Sequence, residues 1–128
     1  MTAILVPIKN FVKEDFMCKC GCGRFNMDEN FLIRYQAFRL IHGKPLTPTS
    51  GGRCITWNKH EGGVKTSLHQ CETKKATATD TTGDCAKIYK DACACGLFNE
   101  VEWHKNDGKN FVHLGWDPNQ KGTDFKII

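Results

Sequence analysis

Histidine and cysteine are the side chains of this sequence best suited to bind a metal ion. The chain has five histidines and eight cysteines among 128 residues, and no histidine belongs to the H-E-x-x-H pair found in many zinc peptidases. A lone histidine is more often a core or surface residue than a ligand. Residue types alone therefore leave a metal site open, and the order of the surrounding motifs has to decide.

Short motifs appear in a specific order along the chain. They are Ser50-Gly51-Gly52-Arg53-Cys54, Asn58, Gly62-Gly63, Ser67-Leu68-His69, Ala76-Thr77-Ala78-Thr79-Asp80 and Phe111-Val112-His113. This order resembles the zinc D-Ala-D-Ala carboxypeptidase family, which includes phage L-alanyl-D-glutamate endolysins and the vancomycin-resistance dipeptidases. That family shares its fold with the hedgehog signalling domain. The stretch from Phe16 to Gly23 also resembles an opening common in short members, so the resemblance covers nearly the whole chain.

The resemblance implies that His69, Asp80 and His113 bind one zinc ion. Two imidazoles and one carboxylate leave a fourth position for water, as a catalytic zinc requires. The resemblance also implies that Arg53 holds the carbonyl or carboxylate of the substrate, and that Ser67 lies beside the metal and donates to substrate. From the residues alone, a surface salt bridge for Arg53 and a turn-capping role for Ser67 stay open.

The chain departs from the family pattern between the first two expected ligands. The interval from His69 to Asp80 is longer than usual, because the stretch Cys71–Lys75 includes an apparent insertion. Glu72 in this stretch is the competing carboxylate for the metal. Charged residues flank it, however, and an exposed loop tip is the commoner place for such a residue. We therefore expect Asp80 to be the ligand.

Three further positions lack a side chain that relatives use. Gly52 replaces a tyrosine in the arginine motif, and Gly115 replaces an aspartate often found two residues after the last histidine. Asn110 stands where some relatives place a glutamate or aspartate, three residues before that histidine. An amide cannot accept the proton of the attacking water. An enzyme with this sequence needs its general base from another position.

A β-hairpin is predicted around the last motif. Residues 101–105 and 110–116 are rich in aromatic and branched side chains, and Asp107-Gly108 between them is a strong turn signal. A two-residue turn there pairs His104 with Phe111. The same register pairs every second residue on one face of the sheet.

This register offers a candidate for the base. It places Glu102 opposite His113, and directly opposed residues share a face with their Cβ atoms about 5 Å apart. We therefore expect Glu102 to point into the zinc site and act as general base, with His104 and Asp117 as second choices. A register shifted by one residue would turn Glu102 to the other face, and a salt-bridged or solvated Glu102 is the alternative.

Two helices are predicted on either side of the central motifs. The first begins at an N-cap on Asn26, with Glu29 completing a capping box, and ends at Gly43. The second begins at an N-cap on Asp84 and ends at Gly96. Both contain apolar residues at helical spacing, so we expect each to pack one face on the core.

The remaining segments complete an α+β prediction. Residues 46–49 are expected to be extended, the stretch from there to about residue 82 to be rich in loops, and the opening segment Ala3–Phe16 to lie over the surface. With the resemblance, we expect a hedgehog/DD-peptidase-like fold in which a small antiparallel sheet has flanking helices. We expect one zinc peptidase-like domain over residues 1–128.

The eight cysteines have three possible states. Cys18, Cys20 and Cys22 could hold a second, structural zinc with Cys54, although C-x-C-x-C is not the usual ligand spacing. Buried free thiols are the commoner outcome in a reducing compartment. Disulfides are the third possibility, and Cys71, Cys85, Cys93 and Cys95 are equally eligible for them, because the sequence alone does not fix their redox state.

Charge and hydropathy exclude several classes of partner. The formal net charge of +4 is spread along the chain without a run of five or more like charges, so nucleic acid is not expected. No apolar stretch approaches the roughly 18 residues that span a bilayer, and the first residues have too short an apolar run for a secretory signal. We expect a monomer synthesised in the cytoplasm that reaches the cell wall by phage lysis or on a phage particle.

These observations favour a zinc metallopeptidase that cleaves an amide bond in peptidoglycan stem peptides. The bond is of the D-Ala-D-Ala or the L-Ala-D-Glu type, and a phage or prophage endolysin is the expected setting. The alternative is a degenerate, non-catalytic module that keeps zinc for stability and binds the cell wall or forms part of a phage particle. Asn110 and Gly115 keep this alternative open.

Overall fold

The computed structural model describes residues 8–106 and 108–128. Three helices, α1 (Glu29–His42), α2 (Ile55–His60) and α3 (Cys85–Cys95), combine with five strands, and a short 3-10 helix spans Lys13–Asp15. The strands are β1 (Thr47–Ser50), β2 (Ala78–Thr82), β3 (Glu100–His104), β4 (Phe111–Gly115) and β5 (Asp124–Ile127). They form one sheet in the order β1-β2-β4-β3-β5, which confirms the α+β prediction.

Helix α1 provides the largest part of the core. Its inward face places Phe31, Leu32, Tyr35 and Phe38 in the interior, each no more than 1% exposed. Gly43 ends the helix in the left-handed conformation, with φ of 73°, as the sequence predicts.

The N-terminus of α1 differs from the prediction. Asp28, not Asn26, is the N-cap, and its carboxylate accepts the N–H of Phe31 at 2.9 Å. Asn26 instead donates from its amide to the carbonyls of Cys71 and Lys74, at 3.0 Å each. The capping box with Glu29 is therefore wrong, because tertiary contacts to a distant loop take the side chain that local spacing assigned to the helix.

Helix α3 agrees with the prediction at both ends. The carboxylate of Asp84 accepts the N–H of Lys87, and Gly96 takes the left-handed conformation with φ of 75°. Ile88 and Ala92 are fully buried and pack in the same core as α1 and the sheet. Both predicted helices thus lie on the core that supports the sheet.

The hairpin of β3 and β4 has the predicted register. His104 pairs with Phe111 and Glu102 pairs with His113 in an antiparallel ladder. The N–H of Lys109 donates to the carbonyl of Asn106 at 3.2 Å, which closes a tight turn. Asp107, the first residue of the predicted turn, lies outside the described residues.

Two features of the sheet differ from the prediction. Strand β5 pairs with β3 in parallel, so the sheet is mixed and not purely antiparallel. The middle of the chain, predicted to be loops, contains α2 and β2. Strand β2 lies between β1 and β4, and its burial pattern shows no alternation because both of its faces are covered.

The N-terminal arm is more than a surface segment. Within its described part, Phe11 is 6% exposed and Phe16 is fully buried, and both rings lie against Tyr35. The arm therefore supplies side chains to the core. Among the described residues, no helix has the length and apolar character needed to cross a bilayer.

Candidate metal centre

Three side chains from separate parts of the chain meet beside the paired interior strands β2 and β4. Asp80 on β2 and His113 on β4 are directly opposed in the antiparallel ladder, and His69 comes from the loop that precedes β2. Their exposed fractions are 7%, 8% and 3% respectively. The two histidines are 44 residues apart in the sequence, and the pairing of β2 with β4 helps to bring them together.

One atom from each side chain points to a common centre. Nε2 of His69 lies 3.1 Å from Nδ1 of His113 and 3.1 Å from Oδ1 of Asp80, and Nδ1 of His113 lies 3.2 Å from the same oxygen. Donor atoms about 2.0–2.1 Å from a tetrahedral zinc would stand about 3.3–3.4 Å apart. The triangle therefore has the size of three ligand atoms on one small cation.

The other ring nitrogens fix the state of each histidine. Nδ1 of His69 lies 2.7 Å from the carbonyl oxygen of Gly51, which can only accept, so this nitrogen carries the proton. Nε2 of His113 hydrogen bonds to the carboxylate of Glu100. When both rings are neutral, the lone pairs on Nε2 of His69 and Nδ1 of His113 thus face the common centre. Such outer hydrogen bonds are typical of metal-binding histidines, because they fix the tautomer and orient the ring.

The electrostatics of the cluster call for a cation at its centre. Burial alone would raise the pKa of the Asp80 carboxyl, but the imidazoles of His69 and His113 hold that pKa well below its usual range. Burial lowers the pKa of His113, yet hydrogen bonds to Asp80 and Glu100 raise it to about 10. Without a metal, a proton on His113 supplies the positive charge. The donor set of two imidazoles and a carboxylate fits zinc in its place.

Arg53 lies beside this centre and not on the open surface. Its Nη2 donates to Oδ2 of Asp80 at 3.0 Å, and its Nε donates to Oγ of Ser50 at 3.0 Å. The ion pair with Asp80 is nearly enclosed, with 12% of the Arg53 side chain exposed. The surface salt bridge considered from the sequence is therefore wrong, and Arg53 orients the carboxylate that faces the two histidines.

Ser67 lies on the rim of the same cavity and caps a turn. Its Oγ accepts the N–H of His69 at 3.2 Å, so it fixes the backbone next to the first histidine. The preceding glycine motif packs closely, since a Cβ on Gly63 would lie 2.2 Å from Oδ1 of Asn58. The Asn58 amide also donates to the carbonyl of Val64 at 2.8 Å. The motif thus shapes the loop that leads to His69.

The expected base, Glu102, faces the cavity. Its carboxylate lies 3.3 Å from Nε2 of His104 and 3.3 Å from Nζ of Lys126, and its side chain is 20% exposed. It is therefore both a cavity residue and a member of a salt bridge. The Asn110 side chain has a different partner, because its Oδ1 accepts the N–H of the Trp103 indole at 3.0 Å. His104 and Asp117 also line the cavity.

The insertion after His69 folds into a closed loop. The side chain of Gln70 accepts the N–H groups of Glu72 and Thr73 at 2.5 and 2.8 Å. Glu72 points away from the metal candidates and accepts the N–H of Ile55 at 3.2 Å. The chain then returns to β2 with Asp80 between the histidines. The extra residues lengthen the loop without displacing the carboxylate.

Glu100 is the site residue that the sequence analysis did not identify. It lies opposite Gly115 in the β3–β4 ladder and next to Glu102 on the same face. A Cβ on Gly115 would lie 3.3 Å from Nε2 of His113 and 3.5 Å from the Cβ of Glu100. Glu100 thus occupies the space beside His113 that a longer residue at position 115 would enter. The predicted register contained this signal, because a residue two positions from Glu102 shares its face.

These residues lie at one open cavity of about 490 Å³. Its wall combines the three clustered side chains with Arg53, Ser67, Glu100, Glu102 and the loop at residues 61–64. Cations and carboxylates both face this space, and two carboxylates lie beside the metal candidates. The arrangement can bind a charged, extended ligand and place it against a metal ion.

Comparison with known proteins agrees with this geometry. The family model described as Peptidase M15 matches residues 9–114, which is most of the chain and includes all three clustered side chains. The comparison with curated proteins found no match.

Proposed function

This chain belongs to the Peptidase M15 family, whose members are zinc peptidases, and we propose that it hydrolyses an amide bond in peptidoglycan stem peptides. The proposed ligands of the zinc are His69, Asp80 and His113. The bond is of the D-Ala-D-Ala carboxypeptidase type or the L-Ala-D-Glu endopeptidase type. An endolysin of a phage or prophage is the setting that we propose for it.

One observation carries the proposal. Three candidate ligand atoms lie within 3.2 Å of one another on the wall of an open cavity, and the outer nitrogen of each imidazole already has a hydrogen-bond partner. A purely structural cluster needs no access from solvent. Here the cluster faces the cavity, so a zinc ion held by these three side chains would be accessible to water and substrate.

The chemistry that zinc supplies at such a site is polarisation of the scissile carbonyl and a lowered pKa, towards about 7, for the attacking water. Glu102 is our candidate for the group that takes the proton from that water and passes it to the leaving amine. Its place opposite His113 and its exposure to the cavity support this role. The Glu102 carboxylate also forms an ion pair with Nζ of Lys126 at 3.3 Å.

Arg53 and Ser67 are the proposed substrate-positioning residues. A guanidinium has five N–H donors, and the bonds from Arg53 to Asp80 and Ser50 use only part of them. The remaining donors can hold a substrate carboxylate or the developing oxyanion. The Ser67 oxygen accepts from the backbone of His69, which leaves its hydroxyl hydrogen to donate to the substrate.

The proposed substrate class suits the charges around the cavity. Stem peptides carry carboxylates and, at some positions, free amines. Arg53 and Lys109 can face the former, and Glu61 and Asp117 can face the latter. The cavity is open to solvent along one side, as binding of a peptide attached to a large polymer requires.

Digestion of purified peptidoglycan tests the proposal. Zinc-loaded protein is incubated with cell walls, and the released fragments are identified by mass spectrometry. We expect new amino termini or released D-alanine with wild type, loss after chelation, and recovery when zinc is added back. Glu102→Gln should lower the rate at least about 100-fold, since general base catalysis contributes roughly 10²–10⁴-fold. Glu29→Gln, a change at an exposed carboxylate outside the cavity, is the matched control.

The fragments decide between the two bond types and the alternative function. Falling turbidity of a wall suspension with new L-Ala/D-Glu ends would support the endolysin form, whereas D-alanine release without lysis would support the carboxypeptidase form. If zinc-loaded wild type bound the walls but released nothing, the non-catalytic wall-binding module would replace our proposal.

A further inference from the structure

We propose that Cys18, Cys20, Cys22 and Cys54 bind a second zinc ion, which is structural and separate from the cavity. The four sulfur atoms all lie within 4.8 Å of one another. Three of them come from one short loop, and the fourth comes from the residue that precedes α2. The inference does not depend on the proposed peptidase activity, because it concerns a different set of side chains.

The sulfur distances fit a tetrahedral metal site and not a disulfide. Sγ of Cys20 lies 3.5 Å from Sγ of Cys18 and 3.7 Å from Sγ of Cys54. Four thiolates at about 2.3 Å from a zinc ion stand about 3.8 Å apart, whereas bonded sulfurs are about 2.05 Å apart. All eight cysteines of the chain are free in this structure.

Backbone N–H groups point at two of the sulfurs. The N–H of Cys54 donates to Sγ of Cys18 at 3.3 Å, and the N–H of Trp57 donates to Sγ of Cys54 at 3.4 Å. Hydrogen bonds to a charged acceptor are stronger than those to a neutral one, so such donors suit sulfurs that bind a metal ion. Supporting bonds of this kind also hold metal ligands in place.

Burial as small apolar side chains does not explain this cluster. Cys18 and Cys54 are buried, but Cys20 and Cys22 are exposed, and free cysteine is usually among the most buried residue types. In a metal site, the buried Cys18 and Cys54 would provide two ligands from the interior, and the exposed Cys20 and Cys22 would provide two from the solvent side. Four convergent thiols with no acid or histidine among them select zinc over calcium or magnesium.

The location gives this second ion a structural role. The loop with three cysteines follows Phe16, whose carbonyl accepts the N–H of Gly52 at 3.0 Å. The two segments touch, since a Cβ on Gly51 would lie 2.7 Å from the Cα of Phe16. Gly51 in turn holds the ring of His69 through its carbonyl. Zinc at the cysteines thus fastens the N-terminal arm to the segment that positions the candidate metal centre.

Metal analysis of the full chain, purified with zinc and without reductant, tests the inference directly. We expect about two zinc ions per chain, and X-ray absorption should show zinc–sulfur distances of about 2.3 Å. Cobalt substitution should give a sulfur-to-cobalt charge-transfer band in the ultraviolet. Two imidazoles and a carboxylate cannot produce that band, so the signal is independent of the candidate metal centre and of activity.

Paired variants separate the two sites. Cys20→Ser with Cys22→Ser changes exposed side chains only, and it should abolish the sulfur band and lower the zinc content to about one. The matched control is Cys93→Ser with Cys95→Ser, the other C-x-C pair, which should keep both ions because residues two apart on a helix do not face each other. A His69→Ala variant should keep the sulfur band.

Three outcomes would overturn the inference. One is wild-type protein with no sulfur ligand in its X-ray absorption spectrum. Another is a count of six free thiols in the unfolded, unreduced protein, with the missing pair mapped to this cluster, which would show a disulfide. The third is iron in place of zinc, which would replace the metal assignment.

Discussion

Glu100 and His113 lie diagonally across the two strands of the hairpin, and the Glu100 carboxylate accepts a hydrogen bond from Nε2 of His113. The residue directly opposite Glu100 is Gly115, the position where the family resemblance implies an aspartate. In the sequence, this glycine was one of two residues that kept a non-catalytic module open as an alternative. In the structure a carboxylate from the neighbouring strand accepts a hydrogen bond from His113, so the ring has an outer partner without that aspartate.

Replacement of Glu100 should weaken metal binding. Glu100→Gln keeps the size of the side chain but removes the charge that orients His113 and makes it a stronger ligand, so we expect the zinc affinity to fall about 10–100-fold. Competition with a chromophoric chelator measures this change. Glu102→Gln is the control, because its carboxylate bonds His104 and Lys126 and should leave affinity nearly unchanged. Equal losses in the two variants would contradict the separate roles.

An aspartate at position 115 should rescue that loss. A Cβ on Gly115 points at Nε2 of His113, and its closest contact is the flexible end of Leu68 at 2.9 Å. Adding Gly115→Asp to Glu100→Gln should therefore recover at least part of the zinc affinity, because a carboxylate again accepts from His113. Gly115→Asn in the same background has the same shape without the charge. Rescue by asparagine as complete as by aspartate would show that charge is not the cause.

The metal-free protein should lose stability as the pH rises. The pKa of His113 is about 10 in the folded chain and near 6.5 when unfolded, so the folded state holds an extra proton between these values. The resulting stability is complete below about pH 6.5 and decreases above it. Thermal unfolding in chelator should show a midpoint that falls from pH 6.5 to pH 9.

His113→Asn removes the titrating ring and should flatten that dependence. Saturation with zinc should also abolish the decline, because the metal ion replaces the proton between the same ligands. A midpoint in chelator that rises over this interval would show that another group dominates.

A buried hydrogen bond connects α1 to β2, and its loss should lower the stability of the protein. The hydroxyls of Tyr35 and Thr81 lie 2.7 Å apart, and both residues are fully buried. Tyr35→Phe should lower the free energy of unfolding by about 1–3 kcal/mol, because it leaves the Thr81 hydroxyl without this partner. Urea unfolding of zinc-loaded protein measures the change. Thr81→Val should lower the free energy of unfolding less in the Tyr35→Phe background than in wild type. Losses that simply add would contradict a direct hydrogen bond.

Local signals in the sequence predicted the elements whose ends and pairing depend on residues close together in the chain. Gly43 and Gly96 end α1 and α3 because only glycine takes the left-handed conformation there without cost. The hairpin followed from its turn residues, and its register placed Glu102 opposite His113. The family resemblance is confirmed over residues 9–114.

Other elements have no local signal. Strand β2 is covered on both faces, so its residues do not alternate between apolar and polar. Asn26 looked like a helix cap because a cap needs only a polar residue at the right spacing, but a distant loop competes for its amide. The parallel partner β5 depends on where the chain returns after the hairpin, which spacing along the chain does not encode.

By itself, the sequence determined which side chains are available for metal chemistry and in what order they occur. The tertiary structure decided which atoms meet, because His69, Asp80 and His113 converge only when β2 and β4 pair and the loop before β2 closes over them. It also gave Glu100 its place beside His113 and brought the cysteines of the N-terminal loop to Cys54. The physical reason is that coordination depends on separations of a few ångströms, and only long-range packing sets these between residues far apart in the chain.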